Sequence, residues 1–80
     1  DPVPTEVTRR QGLQQLLLEG FTEDMILDFI NMEPDALKRG MAVIEFKASQ
    51  TFERYRPLVG LIGSIMQLDL DDLFRKASKL

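Results

Sequence analysis

Eighty residues, 44% hydrophobic and 29% charged, have the balance of one small globular domain and leave no room for a second. The chain contains no Cys and no His, which removes disulfides, the usual zinc ligands and the commonest catalytic bases and nucleophiles. Its net charge of −3 opposes general nucleic-acid binding, where affinity comes from neutralising phosphates, and its apolar runs are far shorter than the roughly 20 residues needed to cross a bilayer.

The chain opens at Asp1 rather than at Met, as expected of a processed or trimmed form of something longer. Residues 1–8 read as an extended arm, because Pro2 and Pro4 fix φ and push their predecessors toward β or polyproline geometry. Val3 and Val7 are the apolar side chains of that arm, which reads either as a frayed leader or as an arm that lies on a neighbouring subunit. Residues 9–80 read as a single helical domain. Thr8 and Gln11 match a capping box, which starts a helix from Arg9 to Glu19 with an apolar stripe of Leu13, Leu16 and Leu17, widened by Leu18. Gly20 suits the left-handed cap that ends it. Thr22 caps a second helix, with Glu23 and Asp24 in its first turn and an apolar face of Met25, Ile26, Phe29 and Ile30.

Pro34 suits the first position of a third helix. Leu37, Met41, Ile44, Ala48 and Phe52 step by 4, 3, 4 and 4, a continuous helical stripe, with Val43 and Phe46 beside it. This pattern predicts the longest helix, at the centre of the fold, and Gly40 within it marks close helix packing. Pro57 ends that helix and opens a fourth, in which Leu58, Val59, Leu61, Ile62, Ile65 and Met66 surround almost the whole circumference. Asp69 caps a last helix, with Leu70, Leu73, Phe74, Ala77 and Leu80 inward. No run of five residues alternates with period two, so the expected class is all-α: a small bundle of about five short helices with no sheet.

Candidate chemistry is thin. Asp69, Asp71 and Asp72 begin like a calcium loop, but Leu73, Phe74 and Leu80 stand where a ligand, a Gly and a Glu are needed. The Leu16–Ile30 segment has the outline of a helix-turn-helix, yet its second helix carries Glu23, Asp24 and Asp28 and no base. Its "LLLEGF" stretch resembles the ubiquitin-associated domain over about a dozen residues, through Gly20 and Phe21. Charge is segregated: five acids and no base lie between Phe21 and Asp35, and five bases against Glu45 and Glu53 between Ala36 and Arg56. Glu45, between Ile44 and Phe46, is either a solvent-edge residue or a partner of Arg54 or Arg56. No metal, cofactor or catalytic site is expected, and the chain does not read as an enzyme.

The fourth helix is the strongest physical pointer. Eighty residues can hardly enclose one helix completely, so part of its apolar surface is expected outside, and exposed apolar patches mark interaction sites. Gly60 and Ser64 also put two small residues on one face. The expected partner-binding residues are therefore Leu58, Val59, Gly60, Leu61, Ile62, Ile65 and Met66, with Val3 and Val7 of the arm second. Charged substitutions at Val59 and Ile62 are expected to abolish binding while leaving the helices formed.

Three stretches, "VTRRQGLQQLLLEG" (7–20), "MAVIEFKASQTFERYRPLV" (41–59) and "LDLDDLFRKASKL" (68–80), together resemble a family of small proteins in tailed-phage and prophage genomes. Phe46 stands where that pattern has Trp, and the acidic region from Glu23 to Asp35 has no counterpart. The resemblance implies a gene beside the tail-fibre genes and a tail-fibre or baseplate accessory role, in the virion tail or in the host cytoplasm during assembly. The expected partner is a fibre or baseplate protein, or a second copy of the chain, and neither nucleic acid nor membrane. The alternatives are a fibre-assembly chaperone absent from the virion, and a small regulatory domain of ubiquitin-associated or repressor type.

Overall fold

The turn that starts the first helix is built as its residues require. Thr8 Oγ1 accepts from the Gln11 amide at 3.1 Å, and the Thr8 amide donates back to Gln11 Oε1 at 2.9 Å, so two otherwise orphaned donors are satisfied at once. In the computed structural model, which describes residues 2–80, seven elements follow: β1 (Glu6–Thr8), α1 (Arg9–Leu18), α2 (Glu23–Ile30), α3 (Ala36–Ala48), β2 (Thr51–Glu53), α4 (Pro57–Met66) and α5 (Leu70–Ala77). Thr22, Asp35 and Asp69 cap α2, α3 and α5 through their side chains. Gly20 ends the first turn at φ 96°, and Gln67 closes α4 in the left-handed region at φ 55°.

The all-α expectation is corrected by a two-stranded antiparallel sheet. β1 pairs with β2 in the register Glu6↔Glu53, Val7↔Phe52, Thr8↔Thr51, and backbone bonds from Arg54 to Thr5 and from Arg9 to Gln50 extend the tie at both ends. Each strand buries only its middle residue. Three residues are too few to display a period of two, and the partner lies more than forty positions away. The arm of residues 1–8 is accordingly anchored at its inner end: Val7 is buried in the chain's own core, and Val3 packs half-buried against it.

The core joins Val7 and Phe52 of the strands to Leu16, Ile26, Ile30, Phe46, the inner face of α4, and Leu73, Phe74 and Ala77 of α5. The Phe46 and Phe52 rings stack at 6.1 Å and 18°, worth about 0.5–1.5 kcal/mol beyond their area. Gly12 is required where α1 crosses β2, because a Cβ there would lie 2.5 Å from the Phe52 ring. α1 packs on α5 and α2 on α4, while α3 touches α2 and α4 with one side only.

That placement overturns the central role expected of α3. The helix stops at Ala48, Phe52 belongs to β2, and the face turned inward carries Phe46, fully buried, with Ala42 and Val43 half-buried. Leu37, Met41 and Ile44, expected in the core, are 73%, 63% and 68% exposed. Both faces of α3 satisfy a 3.6-residue period. The aromatic face wins because Phe46 removes more apolar area from water than any residue of the other stripe, and because Phe52 offers it a ring to stack on.

Candidate interaction surface

α3 presents its unpartnered stripe on a helix held rigidly at both ends. At its start, Asp35 accepts the Lys38 amide at 3.0 Å, and this hydrogen bond to the ionised form is the first cause holding the Asp35 carboxyl below its ordinary value. The Arg39 guanidinium donates to the Glu33 carbonyl at 2.8 Å. At the helix C-terminus, the Arg9 guanidinium donates to the carbonyls of Phe46 and Ser49 and forms an ion pair with Glu23 at 2.7 Å. It lies 5.1 Å from the Phe46 ring centroid, so one half-buried cation ties α1 to α2 and neutralises the negative end of α3.

Beside the stripe runs a shallow groove of about 470 Å³ between α3 and α4. Met41, Ala42, Pro57, Leu58 and Leu61 supply its apolar wall, and Glu33, Lys38 and Glu45 its polar edge. Glu45 pairs with Arg56 at 2.8 Å, as one of its two expected roles has it. Arg54 pairs instead with Asp71 at 2.8 Å. Lys38 and Lys47 make no salt bridge among the described residues. Met41 belongs to both stripe and groove, so the two form one apolar surface with a charged border.

The expected partner-binding residues divide. Leu58, Val59, Ile62 and Met66 face α2 and the core and are buried, as is Val7. Placing them on an outer surface is corrected on that ground: Val59 and Ile62 are only 6% and 7% exposed, and charge there would have to be buried, so such variants report on folding and not on docking. Gly60 is exposed, and Leu61 and Ile65 are half-buried along the outer side of α4. Sequence reasoning missed Leu37, Met41 and Ile44 as surface residues. The available signal was the rival face of Val43 and Phe46 on the same helix.

Other candidate features are absorbed by the fold. The Phe21 ring of the Gly20–Phe21 turn packs edge-on to Phe29 at 6.2 Å, and the free side of α2 carries Asp24 and Asp28. The apolar pocket whose lining includes Val7, Gly12, Phe46 and Phe52 measures about 30 Å³, an order of magnitude below the roughly 300 Å³ at which small-molecule sites begin. Among the described residues, no group of three or more acidic side chains is placed to hold a metal, and no helix is long and apolar enough to cross a membrane.

The chain matches no family profile, no curated protein and no solved structure.

Proposed function

We propose that this chain is a non-enzymatic protein–protein interaction module whose docking face is the outer side of α3. One observation carries the reading: Leu37, Met41 and Ile44 form an apolar stripe on a capped helix, more than three-fifths exposed at each position, and continuous with an apolar groove. Such a surface costs about 25 cal/mol for every Å² kept in water, and covering it supplies a driving force for association. The inward residues of α4 that seemed free to do this are occupied by the fold.

The setting we propose is the distal tail of a bacteriophage, as a fibre or baseplate accessory. Its support is the resemblance described above. Thr8 and Gln11 of that pattern form the capping box, Arg9 clamps the end of α3, Phe52 sits in the core, and Arg54 and Arg56 hold ion pairs. The residues on which the resemblance rests are thus residues that make this fold.

The interaction reading is tested by the hydrodynamic size of the tagged chain in lysate of its native cells, against a variant carrying Leu37→Gln, Met41→Gln and Ile44→Gln. A species larger than the 9.2 kDa monomer for the wild type, reduced to monomer in the variant, is expected. Monomer in both would overturn the reading. Peptide mass spectrometry of purified particles and of the same lysate tests the setting. The chain is expected in particles beside the fibre protein, and absence from both phage fractions would remove the tail assignment.

A further inference from the structure

We propose that the stripe on α3 is covered by the same stripe of a second copy of this chain, in an antiparallel pair about a twofold axis passing between Gly40 and Met41. This rests on the interaction reading and names the partner. At 1.5 Å per residue, an axis there brings position n of one copy level with position 81 − n of the other. Leu37 then stands opposite Ile44 of the second copy, and Ile44 opposite its Leu37. Met41 meets its own mate across the axis, one residue offset. Gly40 also meets its mate, and a Cβ built there would find no described atom within 4 Å. Nothing in the monomer uses that missing side chain, although Gly in a helix interior costs about 1 kcal/mol relative to Ala. In the pair it lets the two helix axes approach.

The charges select the same register. In an antiparallel twofold pair, like flanks of the two helices meet. Lys38 and Glu45 are seven residues, two turns, apart and share the groove flank of α3. With the axis between 40 and 41, Glu45 of the second copy is level with position 36, about 3 Å along the axis from Lys38. Lys38 has no salt-bridge partner among the described residues of its own copy, and Glu45 holds Arg56 at 2.8 Å. Each end of the contact thus gains an alternating Lys–Glu–Arg cluster, written twice by the symmetry. A parallel twofold pair would bring unlike flanks together, leaving Lys38 and Glu45 of one copy on the opposite side of the seam from those of the other, so the two could not pair across it. The contact is one helix of thirteen residues long, at the small end of specific interfaces, so the pair should dissociate on dilution.

Because the chain has no Cys, single introduced thiols report the register without background. Sedimentation velocity over a dilution series should show a monomer–dimer equilibrium, lost in the Ile44→Asp variant while its helical circular dichroism is kept. Mild oxidation of a mixture of Leu37→Cys and Ile44→Cys chains should give mainly the mixed disulfide dimer, with each variant alone giving little, since like positions lie about 10 Å apart along the axis. A monomer at every concentration overturns the proposal, as does a dimer in which Leu37→Cys crosslinks to itself more readily than to Ile44→Cys. A purified monomer that still enters a larger complex in native lysate overturns the second-copy partner alone. Loss of that complex as well overturns the interaction reading.

Discussion

Gly12→Ala and Gly40→Ala make the same chemical change in the interiors of two helices and should move stability in opposite directions. In an open helix the change is favourable by about 0.8–1.0 kcal/mol, through the entropy that Gly loses on folding. At Gly40 the new methyl meets nothing within 4 Å, so the full gain is expected in the monomer. At Gly12 the methyl would sit 2.5 Å from Phe52 Cδ2 and 2.9 Å from Cε2, where carbon contacts ordinarily lie at about 3.5–4.0 Å. The Phe52 ring must give by about 1 Å, yet it is buried, stacked on Phe46 and carried by a strand paired to β1. Overpacking of that kind costs about 1–3 kcal/mol; less the propensity gain of about 1 kcal/mol, the net is a loss of up to about 2 kcal/mol. Thermal unfolding followed by circular dichroism, at concentrations low enough for monomer, resolves this, because 1 kcal/mol shifts Tm by about 4–8 °C in a domain of this size. Gly40→Ala should raise Tm by several degrees and Gly12→Ala should not raise it at all. An equal rise in both would mean that β2 does not hold Phe52 against α1, and the strand pairing would fall with it. Gly40→Ala should at the same time weaken the α3 pair, so stability and association would move apart in one variant.

Phe46→Ala should cost about 3–5 kcal/mol in urea unfolding, since the ring is fully buried; a loss below about 1 kcal/mol would put the other face of α3 inward. Arg9→Lys should lower stability by about 1–2 kcal/mol, because a single ammonium cannot reproduce the forked donation to the Phe46 and Ser49 carbonyls and the Glu23 pair. Asp35 contributes through its ionised form: its folded pKa is depressed, so the contribution is present above the ordinary value of 3.8 and is lost as pH falls through the lower folded value. The Lys38 amide resonance should follow that titration, and in Asp35→Asn, which keeps a capping side chain, the pH dependence should vanish while α3 stays formed.

Local punctuation was mostly readable, though Pro34 precedes the Asp35 cap instead of opening α3, and tertiary choice was not. Thr8 with Gln11, Thr22, Gly20, Asp69 and Pro57 each act within a few residues, so their roles survive any arrangement of the elements. The strand pair depends on Val7 meeting Phe52 across the domain, and nothing near either residue announces it. Thr51 and Phe52 continue the spacing of α3, so the stripe ran past the helix's true end at Ala48. α3 itself offered two apolar faces, and only the position of Phe52 decides between them. The same blindness governed the interaction surface. The all-round apolar α4 pointed to surplus apolar surface on that helix, but α2 and the core absorb Leu58, Val59, Ile62 and Met66. The contiguous exposed stripe lies instead on α3, with Leu61 at its edge, while Leu17, Leu18 and Met32 are exposed on other elements.

The most direct test of this account is the urea unfolding of the variant carrying Leu37→Gln, Met41→Gln and Ile44→Gln, in dilute solution where the chain is monomeric. Gln retains helix propensity close to that of Leu and Met, so the comparison isolates the apolar side chains. If the stripe is a free surface, the unfolding free energy should lie close to that of the wild type, within about 0.5 kcal/mol for each exposed site. A loss of several kcal/mol at each position, the cost of emptying a core, would place Leu37, Met41 and Ile44 inside the fold and contradict the docking face.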